Sequence, residues 1–193
     1  MYYTSNESNE SNESNESNES NESNESNESN ESNESNKINI NQVYKYKNID
    51  INKLNISFNT INYDNNIFYI QSPLFLQYEL QNINSKKYIE LKLENTKTSH
   101  IKFLTLIDSI ELMLNNFNKS SKMENKKKIK TQVITNIQNE KSLKAKLLPN
   151  TVYFDINKNK VDNLYSNKIS LLFKLEYFNK YYSWNVIQIL QLK

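Results

Sequence analysis

The sequence predicts a mainly β domain carrying one helix, preceded by a disordered tail. Three observations lead there. Short apolar alternations run through most of the chain from Lys37 onward. One stretch, Ile101 to Phe117, instead repeats its apolar residues every three or four positions. Before both, Ser5 to Glu34 is ten uninterrupted Ser-Asn-Glu triplets, with no apolar residue between Thr4 and Ile38. A segment with nothing to bury cannot offset the entropy of ordering its backbone. A period of three also lies far below the roughly 20–50 residues of solenoid repeats. The expected division is therefore a tail over residues 1–37 and a globular domain over 38–193.

Taken in order, Val43-Tyr44-Lys45-Tyr46 and Leu54-Asn55-Ile56-Ser57-Phe58 alternate as strands. Ile67–Ile70 and Leu74–Leu80 flank Pro73, which permits a turn or an edge but not a central ladder. Tyr88–Glu94 alternates cleanly, with Ile89, Leu91 and Leu93 on one face. The helix follows, with Thr98 or Ser99 as cap and Ile101, Leu104, Ile107, Ile110, Leu114 and Phe117 as its inner stripe. Lys102, Asp108, Ser109 and Asn116 take its outer side, and a lysine-rich loop leads on from Asn118 to Lys130. Strands resume at Thr131–Ile137, Leu143–Leu148 and Val152–Ile156. Two longer ones, Ile169–Phe178 and Tyr181–Leu192, join across Asn179-Lys180 as a two-residue hairpin. In the last, Tyr182, Trp184, Val186, Leu190 and Leu192 are expected on one side. Eight to ten strands with one helix among them suit an OB-like barrel or a β-sandwich capped by an α-helix.

Composition narrows the chemistry. The chain has no cysteine and no glycine, and every one of its 24 basic residues is lysine. No thiolate site, disulfide or glycine-rich phosphate loop can be built from it. The abundance of Asn, Lys, Ile and Tyr matches an A/T-rich coding bias. No apolar run approaches the roughly 18 residues of a membrane span, and the N-terminus lacks a signal-peptide pattern. An intracellular protein is expected, in the cytoplasm or nucleus and not secreted. His100 is the single histidine, and it cannot make a histidine metal site or a Ser-His-Asp triad without partners that the chain lacks or scatters. Asp108 and Glu111 stand three apart and read as a solvated helix face. No catalytic residue, metal or cofactor is expected.

Charge is divided unevenly. The repeat holds ten glutamates and no lysine, whereas the remainder holds 24 lysines against 12 acids, since 22 less 10 leaves 12. The net +2 therefore sums a tail near −10 and a body near +12. Two readings of the tail stand side by side: a tethered competitor that imitates nucleic-acid phosphates, and a slippage expansion tolerated because it is well solvated.

A cationic surface with aromatic side chains is what single-stranded nucleic acid needs, because phosphates follow the lysines and bases stack on rings. The strand lysines Lys144, Lys146, Lys174 and Lys180, the tyrosines Tyr177 and Tyr181, and the loop lysines Lys126, Lys127, Lys128 and Lys130 are the candidates. Trp184 and Phe173 read as core. Lys127-Lys128-Ile129-Lys130 also matches a short nuclear import signal.

Four segments carry a resemblance: Leu143-Lys144-Ala145-Lys146-Leu147, Val152-Tyr153-Phe154-Asp155, Lys168-Ile169-Ser170-Leu171-Leu172-Phe173 and Ser183-Trp184-Asn185-Val186-Ile187-Gln188. Their order and spacing resemble the closing strands of a protein family of nucleocytoplasmic large DNA viruses, itself related to phage-type single-stranded-DNA-binding proteins. Tyr181 stands where that family has a glycine, and the acidic segment here is N-terminal instead of C-terminal. The resemblance implies an OB-like barrel, a viral source, and work in DNA replication or recombination. The leading expectation is a sequence-independent single-stranded-DNA-binding protein, with DNA favoured over RNA and replication proteins as further partners. The alternative is a non-enzymatic virion or scaffold component that pairs with a partner or with itself as a homo-oligomer.

Overall fold

The computed structural model describes residues 42–57, 60–120, 129–178 and 181–193. The tail expected over 1–37, the loop lysines Lys126, Lys127 and Lys128, and the Asn179-Lys180 turn lie outside them. The described strands are β1 (Val43–Lys45), β2 (Leu54–Ser57), β3 (Thr60–Tyr63), β4 (Asn66–Ile67), β5 (Tyr69–Gln71), β6 (Tyr78–Ile83), β7 (Lys86–Leu93), β8 (Val133–Thr135), β9 (Lys141–Phe154), β10 (Lys160–Val161), β11 (Lys168–Phe178) and β12 (Tyr181–Leu192). Among the described residues one α-helix, α1 (Thr98–Ser120), lies between β7 and β8.

The pairing decides between sandwich and barrel. β11 pairs antiparallel with β12, β12 parallel with β9, β9 antiparallel with β7, and β7 antiparallel with β6. The ring closes through the segment that contains both β5 and β6. Its first half runs along β11, with Ile70 opposite Phe173 and Gln71 opposite Leu172. Phe75 and Ile169 then exchange backbone bonds of 2.8 and 2.9 Å. Its second half turns away to pair with β7, from Tyr78 opposite Leu91 to Ile83 opposite Lys86. Five strand positions thus make a Greek-key ring, which is the arrangement of an OB-fold barrel.

The break sits at Pro73. A proline offers no N–H and cannot extend the ladder. Just before it the Ser72 N–H donates to the Leu171 carbonyl at 2.9 Å, while Ser72 Oγ, in place of its own carbonyl, accepts from the Leu171 N–H at 2.9 Å and donates to the Pro73 carbonyl at 2.7 Å. Leu74–Gln77 consequently form no strand, and the strand expected from Leu74 begins at Tyr78.

The barrel interior follows the predicted period of two. Ile89, Leu91, Leu143, Ala145, Ile169, Leu171, Phe173 and Leu175 are buried. Trp184 is fully buried as expected, edge-on to Phe173 at 5.2 Å and to Phe103 of α1 at 5.6 Å. Such pairs add about 0.5–1.5 kcal/mol beyond their buried area. The helix closes one end of the ring with Phe103, Leu106, Ile107, Ile110 and Leu114.

That face is rotated from the expected one. Ile101 and Phe117 are exposed and Phe103 is buried in their place. The helix carries apolar residues nearly all round, so periodicity alone leaves the inward direction open by about one residue, 100°. Neither Thr98 nor Ser99 caps it, because the His100 and Ile101 N–H groups bond to the Lys97 carbonyl. His100 is itself buried. Its Nδ1 accepts from the Glu94 N–H at 2.9 Å while Nε2 faces the Leu74 carbonyl at 2.8 Å, the tautomer with its proton on Nε2. The ring therefore ties the end of β7 to the bend after Pro73.

A second correction concerns β12. Phe173 pairs with Val186 but Leu172 pairs with Gln188, so Ile187 is an extra residue. This bulge inverts the rest of the strand. Ile189 and Gln191 point inward, and Leu190 and Leu192 are displaced to the outer side. Buried Gln191 is satisfied, accepting from the Tyr165 and Ser166 N–H groups at 2.7 and 3.0 Å and donating to the Asn163 carbonyl at 2.8 Å.

Glu111 is not a solvated side chain either. Its Oε1 accepts from the Tyr182 hydroxyl, from Thr131 Oγ1 at 2.7 Å and from the Gln132 N–H at 3.4 Å, fastening the helix to the returning chain. Burial, reinforced by the bond to Glu111, pushes the Tyr182 phenol well above its ordinary 10.0. The folded state therefore holds this proton more tightly than the unfolded chain does, and stabilisation present below pH 10 is lost as pH rises further. Tyr182→Phe should cost about 1.5–3 kcal/mol at neutral pH. Urea titrations should show the gap to the wild type narrowing above pH 10.

Turns are made without glycine. Asn84 and Ser85 join β6 to β7 with φ of 48° and 62°, both in the left-handed region. Ser85→Gly removes the Cβ strain at the second position and should raise stability by about 0.5–1 kcal/mol, read as a higher urea midpoint at unchanged slope.

Candidate nucleic-acid interface

Inward Ile89, Leu91 and Leu93 force Lys86, Tyr88, Glu90 and Lys92 of β7 outward. On β9, inward Leu143, Ala145 and Leu147 do the same for Lys144 and Lys146. The ladders then place residues from five strands side by side. Gln81 lies opposite Tyr88, Tyr88 opposite Lys146, Lys146 beside Asn185, and Asn185 opposite Lys174. At about 4.8 Å between strands this band spans roughly 19 Å. The next row holds Glu79, Glu90 and Lys144.

Contacts within the face are specific. The Lys144 ammonium sits over the Tyr88 ring, 4.9 Å from its centre. Glu90 is occupied by neutral donors, Ser142 Oγ and Gln81 Nε2, each at 2.6 Å. Lys174 reaches Glu176 at 3.6 Å. Lys86, Lys92, Lys144, Lys146 and Lys174 thus stand against Glu79, Glu90 and Glu176, and two of the three acids already have partners on the face.

Both ends of the face are flanked by hairpins. At one end the Asn84-Ser85 turn carries Lys86 and Lys87 beside an open pocket of about 830 Å³, to which Tyr88, Lys146 and Tyr153 also contribute. At the other, the β11–β12 ladder runs out to Phe178 opposite Tyr181. Phe178 is 57% exposed and Tyr181 69%, two neighbouring rings with much of their surface in water. In OB barrels the face of the second and third strands and the loops after the first and fourth are the oligonucleotide-binding elements. Here those are β7 and β9, the Asn84-Ser85 turn, and the β11–β12 hairpin.

Of the residues singled out from sequence, Lys144, Lys146 and Lys174 come together on this face, and Tyr181 stands at its edge. Lys130 is exposed, two residues before Gln132, whose carbonyl accepts from the Lys144 N–H at 3.0 Å. Tyr177 is not a surface ring. It is buried, its hydroxyl donates to Asn118 Oδ1, and Phe117 packs edge-on at 6.1 Å. It belongs to the inward set of β11 with Phe173 and Leu175, which is where the alternation itself places it. Lys126, Lys127, Lys128 and Lys180 fall outside the described residues. Sequence reading missed Tyr88, Lys86, Lys92, Phe178 and Asn185. The alternation of β7 and β11 marks the first four as outward, but nothing local says that β7 lies beside β9.

No family model matches the chain, and no curated protein is significantly similar to it. Among solved structures it is similar to gp2.5, a single-stranded DNA binding protein encoded by bacteriophage T7, with TM-score 0.49 and 10% identity over 66% of this chain and 87% of that one. It is also similar to the C-terminally truncated single-stranded-DNA-binding protein from bacteriophage Enc34, with TM-score 0.44 and 15% identity over 74% and 96% of the two chains. The Enc34 protein in complex with ssDNA gives 0.43 and 12% over 71% and 92%. At such identities and scores the likeness decides neither fold nor ligand. The barrel rests on its own strand pairing.

Among the described residues no group of three His, Asp or Glu side chains is placed to hold a metal ion, and no helix is long and apolar enough to cross a membrane.

Proposed function

We propose that this protein binds single-stranded DNA, without strong sequence dependence, across the outer face of β7 and β9, in support of viral DNA replication or recombination. The observation that carries the reading is the in-register placement of Tyr88 with Lys146 and Lys174, with Lys144 one row on, between two hairpins, one basic and one aromatic. Lysines on alternate outward positions can follow a phosphate backbone, and exposed rings at the edge give bases a sequence-tolerant surface.

The test is a titration of fluorescent oligonucleotide at several salt concentrations. Log affinity should fall linearly with log salt, and the double variant Lys144→Ala/Lys146→Ala should reduce the slope by about 1.4, or 0.7 per lysine. Tyr181→Ala should weaken binding by about 5- to 150-fold, the equivalent of one base stack of roughly 1–3 kcal/mol. Absence of binding at low salt, or binding indifferent to salt, would remove the proposal.

The N-terminal triplets enter the same reading as a tethered competitor. Ten glutamates joined to a domain of opposite charge meet it at high effective concentration, and DNA must displace them. Removing residues 5–34 should tighten binding at low salt, with a difference that shrinks above about 0.3 M salt as screening shortens. Equal affinities at every salt concentration would make the repeat a passive solvating segment.

A further inference from the structure

Asn185 is fully buried, yet neither its amide nitrogen nor its amide oxygen has a hydrogen-bond partner. Its direction is fixed by its neighbours. Trp184 and Val186 point into the barrel, so Asn185 points to the outer face, between Lys146 on β9 and Lys174 on β11. An unpartnered buried amide costs several times what a normal hydrogen bond contributes, and a purely structural position would be better filled by an apolar side chain. Both adjoining lysines are long, flexible and half-buried, and both lie where phosphates are proposed to pass.

We propose that Asn185 takes the hydrogen-bonding edge of one DNA base, with Lys146 and Lys174 swinging outward onto the phosphates on either side. This rests on the single-strand reading above and adds a site to it. An amide presents one donor and one acceptor side by side and can exchange them by a half-turn about its last bond. Each of the four bases offers a complementary donor–acceptor pair on its Watson–Crick edge. The same side chain can therefore engage any base, which suits a protein with little sequence preference. It also explains why an amide occupies this position: a carboxylate or a lysine offers only half of the pair.

The experiment compares full-length protein on oligothymidylate and on the same oligomer carrying 2,4-difluorotoluene, a thymine shape-mimic that stacks but does not hydrogen-bond well. Wild type should prefer thymine by roughly tenfold, the equivalent of two hydrogen bonds of about 0.7 kcal/mol each. In Asn185→Leu that preference should disappear, and the variant should be no less stable than wild type to urea, because it loses an unpaired amide. Equal preference in wild type and variant, or a strongly destabilised Asn185→Leu, would overturn the assignment. Failure of wild type to bind either oligomer at low salt would instead overturn the single-strand reading beneath it.

Discussion

The bend at Ser72-Pro73 is the constraint on which the rest of the molecule depends. A continuous strand from Tyr69 to Ile83 could pair with β11 or with β7, but it could not leave one for the other without a break in its ladder. Proline supplies the break because it has no N–H to extend the ladder, and beside it the Ser72 hydroxyl accepts the Leu171 N–H in place of the Ser72 carbonyl, so that donor stays satisfied. The two halves then bind opposite margins of the sheet and the ring closes. His100 reads out the same bend from the other side through the Leu74 carbonyl. Barrel closure and helix docking are thus mechanically one event.

The ladders between β7 and β11 also create the candidate interface. They run β7–β9–β12–β11 without passing through the closing segment, so the outward residues of one row share a face. Within the ring the parallel β9–β12 ladder fixes Lys146 beside Asn185, and the β11–β12 hairpin carries Lys174 to the far side of the same residue. Each ladder is set by inward side chains that must reach the core, since a shift of one residue would turn them all to solvent. Core packing therefore decides which outward residues meet.

Much of this was legible in the sequence, and the losses have separable causes. β11 and β12 match the expected strands nearly residue for residue, because strict alternation over ten or more positions admits one reading. Leu190 and Leu192 were assigned to the wrong face because a single-residue bulge at Ile187 has no compositional mark in a chain without glycine. The helix face was misplaced since Ile101, Phe103, Leu104, Leu106 and Ile107 are all apolar, and only the barrel mouth selects among them. Tyr177 was legible as core from its own alternation and was displaced toward the surface by its nearness to lysines. Glu111 looked like a free carboxylate because its partners, Thr131, Gln132 and Tyr182, are remote in sequence. The site suffered most. Its members lie on strands joined only by ladders, and pairing is the least local property of a β protein.

Coding bias bears on how much the lysines mean. A bias toward A/T-rich codons supplies lysine at any position that tolerates a solvated cation, so five lysines on one face would be weak evidence by themselves. The same bias supplies asparagine, and several asparagines here are where bias can put them without penalty: Asn65, Asn84 and Asn139 occupy left-handed turns that the missing glycines would otherwise take. Asn185 is different. A buried amide with both ends unpaired is selected against wherever it has no partner, and Ile, Leu or Phe, which bias supplies equally well, would fill the position at lower cost. Its retention between two lysines is the feature of the face that coding bias does not explain, and it gives the lysines beside it a reason to be there.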